Sequence, residues 1–166
     1  KVSFSIRYPK DKCGEYSIKL PPRILKVGKW EIINKGSNYI ILAVGSMATM
    51  IVEQKEFIHK KLGYLPTIIN ARFIKPIDEN MLFNLCESGD KIITIEEGAL
   101  TGGFGSIIST FLHDNELNNK LIRFGVPDNY IQHGSRDELL AEVGLTIDNL
   151  ISTMKKINKR KNIYAI

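Results

Sequence analysis

Short apolar runs alternate along this chain with stretches in which apolar residues return every three to four positions, which predicts strands interleaved with helices. Residues 3–8, SFSIRY, alternate in polarity and predict a strand closed by Pro9. Residues 9–29 hold Pro9, Gly14, Pro21, Pro22 and Gly28 without a sustained period and read as a linker or extended arm. The stretch WEIINKGSNYIILAVG predicts two strands, 30–34 and 39–44, forming a hairpin around a Lys-Gly-Ser-Asn turn. The second of these is apolar throughout, as suits a central strand of a parallel sheet.

A helix is predicted over 47–62, with Met47, Met50, Ile51, Ile58 and Leu62 on one face and Gly63 as its stop. PTIINA is a second parallel strand. Asp78 caps a helix running to Ser88, with Met81, Leu82 and Leu85 inward. KIITI is a third strand, and Phe104, Ile107, Ile108, Phe111 and Leu112 mark an amphipathic helix after it. LIRFGV is a further strand. Ser135 and Glu138 form a capping box, with Leu139, Leu140 and Val143 behind it and Gly144 as the stop. A last helix over 147–158 presents Ile147, Leu150, Ile151, Met154 and Ile157 inward.

Strands that alternate with helices form a parallel sheet covered on both faces, so the predicted fold is α/β: a three-layer α/β/α sandwich of about five strands. The sheet is mostly parallel, with one antiparallel strand supplied by the 30–44 hairpin. The length of 166 residues suits one domain with a sizeable core, and 43% hydrophobic with 25% charged residues is a globular composition. No apolar run approaches the roughly 20 residues that span a bilayer, so no membrane partner is expected. The chain opens without Met in strand-like sequence, and a piece of a longer protein is expected. Cys13 and Cys86 lie far apart with no CxxC, which predicts unpaired thiols and, for Cys86 in its apolar helical pattern, a buried inert one. The net charge of +5 is concentrated in Lys155, Lys156, Lys159, Arg160 and Lys161. With Tyr164 the one aromatic nearby and no nucleic-acid motif, these read as a solvated helix end, and no nucleic-acid partner is expected.

The stretch ITIEEGALTGGFGS is the place where chemistry could reside. As a dinucleotide fingerprint it fails, because Gly103-Phe-Gly105 is followed by Ser106, Ile107 and Ile108 rather than by a third glycine. Glu96 and Glu97 would also repel a diphosphate. As a catalytic dyad it fails too, since adjacent residues at a strand end point to opposite faces. The expectation is that one glutamate accepts hydrogen bonds from the glycine-rich backbone while the other faces solvent or a partner. His59, His113 and His133 have no metal-ligand spacing, and no G-x-S-x-G surrounds a serine. The residues themselves therefore predict a domain that supports or assembles an active site rather than containing one.

Taken together, IRYPK (6–10), ILAVGSM (41–47), NARFIKPID (70–78), TIEEGALTGGFGS (94–106) and GVPDNYIQHGSRDELLAEVGL (125–145) resemble, in order and spacing, the C-terminal part of the 1-deoxy-D-xylulose-5-phosphate synthases. These are thiamine-diphosphate enzymes related to transketolase, and the resemblance covers residues 4–152. Single motifs are shared with transketolases and with the beta subunits of 2-oxo-acid dehydrogenases, which form the alternative; a non-catalytic interaction module of the same fold is a third. The resemblance implies condensation of pyruvate, with loss of CO2, and D-glyceraldehyde 3-phosphate. It implies a homodimer in which thiamine diphosphate and Mg²⁺ are bound by upstream domains and none by this chain. Residues 1–29 would then be the end of a preceding pyrimidine-binding domain plus a linker arm, 30–158 the transketolase C-terminal-like domain, and 159–166 a basic tail. Arg7 matches the family arginine that binds the triose phosphate group, whereas Lys10 and Asp11 depart from the arginine and glycine of the family motif. Glu96, Glu97, Gly102, Gly103, Gly105 and His133 become turn and interface residues. The Lys, Asn and Ile bias leans towards a plastid, with a bacterial cytoplasm as the alternative.

Overall fold

The computed structural model describes residues 3, 5, 6, 8 and 24–161, the side chains of 159–161 excepted. Five strands and six helices follow in the order β1 (Glu31–Asn34), β2 (Tyr39–Ala43), α1 (Ser46–Glu53), α2 (Lys55–Leu62), β3 (Thr67–Asn70), α3 (Glu79–Cys86), β4 (Lys91–Ala99), α4 (Phe104–Asp114), β5 (Leu121–Val126), α5 (Arg136–Glu142) and α6 (Ile147–Lys161). The strands form one sheet in the order β1-β3-β2-β4-β5. All pairs are parallel except β1 with β3.

Strand pleating divides the core into two layers. Tyr39, Ile41 and Ala43 of β2, Ile68 of β3 and Ile93 and Ile95 of β4 pack with Met47 and Ile51 of α1, Ile58 of α2 and Leu150, Ile151 and Met154 of α6. Ile40 and Leu42, Ile69 and Ile92 face the other way, onto Leu82 and Cys86 of α3 and Phe104, Ile108 and Leu112 of α4. This is the predicted sandwich, with its antiparallel strand. Cys86 is buried, and burial raises its thiol pKa, as expected of an inert cysteine.

Three local expectations are corrected. β1 and β2 do not form a hairpin: β3 lies between them, and β1 pairs with it antiparallel. The intervening turn is held against the start of β3, where Ser37 N–H donates to Leu65 O at 3.0 Å and Gly36 N–H to Thr67 Oγ1 at 3.0 Å. A side chain at Gly36 would put its Cβ 2.1 Å from Leu65 O, so this glycine serves a crossing rather than a hairpin turn. The helix over 47–62 is two helices joined at Gln54, whose φ of −101° and ψ of 9° leave the helical region. The apolar stripe nevertheless runs across the break, and Gln54 N–H still donates to Met50 O at 3.2 Å. The third strand does not stop at Ile95 but runs to Ala99. Of the strand expected over 3–8, the described residues 3, 5, 6 and 8 carry no strand structure.

The entry to the sheet is pinned by Asp78, which caps α3 by accepting from Met81 N–H. The same buried carboxylate accepts from Lys29 Nζ at 2.8 Å and Trp30 N–H at 3.1 Å. Burial alone would raise its pKa, but the hydrogen bonds from Lys29, Trp30 and Met81 and the lysine charge outweigh it and hold the carboxyl below its ordinary value. Trp30 further donates Nε1–H to Phe73 O at 2.8 Å and meets the Phe104 ring edge-on.

Candidate functional site

In an open parallel sheet, ligands bind beyond the carboxyl ends of the strands, where the strand order reverses. Here the chain passes from β2 outward to β3 on one side and then returns to β4 on the other, so the reversal lies between β2 and β4. The groups at that edge are Gly45 and Ser46 after β2, and Glu96 and Glu97 near the end of β4.

The end of β4 is bulged. Ile95 lies opposite Phe124 and Ala99 opposite Val126, so four steps along β4 match two along β5. Within the bulge, the pleat sends Glu96 to the face already used by Ile92 and Thr94, beneath the start of α4. Glu97 goes to the face of Ile93 and Ile95, beside α1 and α5.

Glu96 is 4% exposed. Its Oε2 accepts from Phe104 N–H at 2.9 Å and its Oε1 from Gly105 N–H at 2.8 Å. The first turn of a helix leaves N–H groups unpaired and concentrates positive potential, which makes it a natural anion site. Glu96 fills that site from within. The glycines clear the space: a Cβ on Gly98 would lie 2.5 Å from Glu96 Oε2, and one on Gly103 would meet Ala99 O at 2.1 Å and the same carboxylate at 2.8 Å. Gly105 passes over Thr94, whose buried hydroxyl has no hydrogen-bond partner among the described residues. The turn is braced from outside by Ser106, whose hydroxyl donates to Leu100 O and accepts from Gly102 N–H and Arg123 Nη1.

Glu97 joins three elements. Ser46 Oγ, at the start of α1, donates to Glu97 Oε1. Arg136, the first residue of α5, grips the same carboxylate with Nε at 3.2 Å and Nη2 at 2.5 Å, the planar fork that suits a carboxylate. The Ser135–Glu138 capping box fixes the start of α5 and hence the origin of the Arg136 side chain. Each of the two adjacent acids thus sits where the fold would offer an outside anion a place. A diphosphate does not fit at α4 while Glu96 is there.

The remaining sequence candidates disperse. His59 and His113 lie in the last turns of α2 and α4, and both are exposed. His133 is exposed in the loop between β5 and α5, beside Tyr130, which is 91% exposed. Among the described residues no group of three or more His, Cys, Asp or Glu could hold a metal ion, and no helix is long and apolar enough to cross a membrane. Arg7, Lys10, Asp11 and Cys13 lie outside the described residues. Sequence reasoning singled out the two glutamates but missed Ser46 and Arg136. Arg136 had a signal: it follows a capping-box serine and so begins a helix.

Residues 28–150 match the family model described as "Transketolase, C-terminal domain". The chain belongs to this family. Among curated proteins, the domain is similar to a 1-deoxy-D-xylulose-5-phosphate synthase of Geobacillus sp. (strain WCH70), 40% identical over 164 residues, covering 97% of this chain and 26% of that protein. It is also similar to the same-named protein of Geobacillus thermodenitrificans, at 43% over 142 residues, covering 85% of this chain and 22% of the relative. The domain therefore spans about a quarter of the length of such relatives. Among solved structures, a split-gene transketolase, described as an inactive beta4 tetramer, superimposes with a TM-score of 0.71 at 23% identity, over 80% of this chain and 43% of the other. A transketolase from Campylobacter jejuni gives 0.57 at 13% identity, over 78% and 18%. At these identities the structural likeness establishes the transketolase-type fold of the domain.

Proposed function

We propose that this chain is the C-terminal domain of a 1-deoxy-D-xylulose-5-phosphate synthase. The longer protein would condense pyruvate, with loss of CO2, and D-glyceraldehyde 3-phosphate, using thiamine diphosphate and Mg²⁺ held outside this domain. The identity of 40% over nearly the whole chain to a bacterial enzyme of that name supports the assignment. One observation carries the domain's own role: both anion positions at the carboxyl edge of the sheet are filled by the chain's own glutamates. A domain built in this way supports an active site assembled elsewhere.

In this reading, residues 1–29 are the end of a preceding pyrimidine-binding domain and its arm, and Arg7 grips the triose phosphate. The Gly102 turn and the 129–133 loop lie in a homodimer interface, which would cover Tyr130. The bacterial relatives give no support to a plastid and favour a bacterial cytoplasm as the working compartment.

The test is made in the full-length protein, by titrating both substrates against Arg7→Ala. Loss of a charge-assisted hydrogen bond, about 1.5–3 kcal/mol, should lower kcat/KM for D-glyceraldehyde 3-phosphate by roughly 10- to 150-fold. Use of a phosphate-free aldehyde should be unchanged. An equal loss with both acceptors makes Arg7 structural. Sedimentation of Tyr130→Glu tests the interface, and an unchanged, active dimer removes it from the proposal.

A further inference from the structure

A cleft of about 370 Å³ opens between α2 and α6, lined by Lys61 of α2 and by Asp148, Ile151, Ser152, Lys155 and Lys156 of α6. None of these residues takes part in the Glu96–Glu97 cluster. The buried Ile151 is the cleft's tie to the core. A hydrogen-bonded network anchors α6 on either side of Lys155 and Lys156. There the Tyr39 hydroxyl lies 3.0 Å from Met154 O and 2.9 Å from Asn158 Oδ1, and Asn158 Nδ2 donates to the Tyr64 hydroxyl at 3.3 Å. Burial, with the neighbouring Tyr64 adding to it, pushes the Tyr39 phenol pKa up to about 12, so the network keeps its protons throughout the physiological range.

Among the described residues, no carboxylate pairs with Lys61, Lys155 or Lys156. Lys61 makes a cation–π contact with Phe57, at 5.2 Å from the ring centroid, which uses none of its N–H donors. The helix dipole accounts for Lys61 in the last turn of α2, but not for Lys155 and Lys156. Its effect fades within the last turn, and α6 continues beyond them to Lys161. Three lysines and a single acid, Asp148, therefore line one shallow cleft floored by Ile151, which leaves it with an excess of positive charge.

We propose that the α2–α6 cleft is a docking site for an acidic segment of a partner polypeptide. Lysines present compact point charges that suit separate carboxylates, and the cleft offers no arginine fork and no aromatic platform on which a base could stack. Asp148 discriminates further. It accepts the backbone N–H of an extended peptide, whereas it repels a phosphate backbone. The +5 net charge then has a directional use, steering an acidic partner to this face.

Fluorescence anisotropy with a short labelled peptide of alternating glutamate and glycine tests the proposal on this chain. Binding is expected to saturate at low salt and to weaken towards ~0.15 M salt, where exposed charges are screened within about 8 Å. Changing Lys61, Lys155 and Lys156 together to Gln should weaken it at least about tenfold. The control Lys26→Gln, Lys35→Gln, Lys120→Gln carries the same change in net charge elsewhere and should stay within about twofold. Asp148→Asn, which keeps the lysines and an acceptor for the peptide N–H but removes the like charge, should tighten binding. Absence of saturation, or an equal loss in the control, overturns the site. Single-stranded RNA of matched charge binding more tightly through the same three lysines overturns the choice of partner.

Discussion

Glu96 Oε1 accepts the amide hydrogen of Gly105 at 2.8 Å, across nine residues of chain that leave β4, turn at Gly102 and enter α4. This bond, with its twin from Phe104, holds the strand end, the glycine turn and the helix start in one arrangement.

Removing the carboxylate should cost more than removing a surface acid. In Glu96→Ala two buried N–H groups lose their acceptor, and a loss of about 2–5 kcal/mol is expected, measured as a lower urea midpoint. Formate or phosphate added to the variant should restore part of the loss, because the vacated helix start would bind an anion from solution. The unaltered protein should show no such anion response beyond the ordinary effect of salt.

The two adjacent glycines of the turn should differ in sensitivity. Gly102 has φ of 75°, and a Cβ added there would meet nothing within 4 Å, so Gly102→Ala bears only the left-handed backbone cost of about 1–2 kcal/mol. Gly102→Asn should recover most of it. At Gly103 a Cβ would meet Ala99 O at 2.1 Å, so Gly103→Ala should destabilise by at least about 3 kcal/mol or fail to fold. Thermal denaturation of the two single variants reads the order directly.

Thr94→Val should be neutral or stabilising by about 1 kcal/mol, since it replaces a buried hydroxyl without a partner among the described residues by a methyl group of similar shape. A clear loss of stability would mean that the hydroxyl is satisfied in solution.

Asp78 makes the domain sensitive to acid. Its folded pKa is lowered, so its contribution is fully present above the unfolded value of about 3.9 and is lost as pH falls through the lower folded value. Chemical denaturation at a series of pH values should show wild-type stability falling through this acid range. Asp78→Asn should be less stable at neutral pH and show a shallower acid-side fall.

The ion pair of Glu97 with Arg136 is partly exposed, with side-chain exposures of 32% and 35%, and a double-mutant cycle should give a coupling of about 0.5–1 kcal/mol that shrinks with salt. A coupling near zero would mean that the geometry at α5 is set by the Ser135 capping box alone.

Much of this was legible because the relevant signals are local. The pleat alone separates Glu96 from Glu97, and the serine-glutamate spacing alone starts α5. The order of β1 and β3 was not legible, because the choice between a hairpin and a crossing depends on how Gly36 meets Leu65, a contact made between distant parts of the chain. The break at Gln54 was hidden because the apolar stripe continues past it. Arg136 was hidden as a partner of Glu97 because 39 residues separate the two and nothing in either neighbourhood names the other.

The start of α4 can also be regarded as a receptor whose ligand is covalently attached. A tethered group acts at an effective concentration of millimolar or more, and one held rigidly in the bound geometry acts far above that. Free phosphate or a metabolite carboxylate competes at its own bulk concentration and would lose to Glu96. The domain is thereby insulated from the rise and fall of small anions around it, so its shape stays constant while any site it supports is free to respond to substrate.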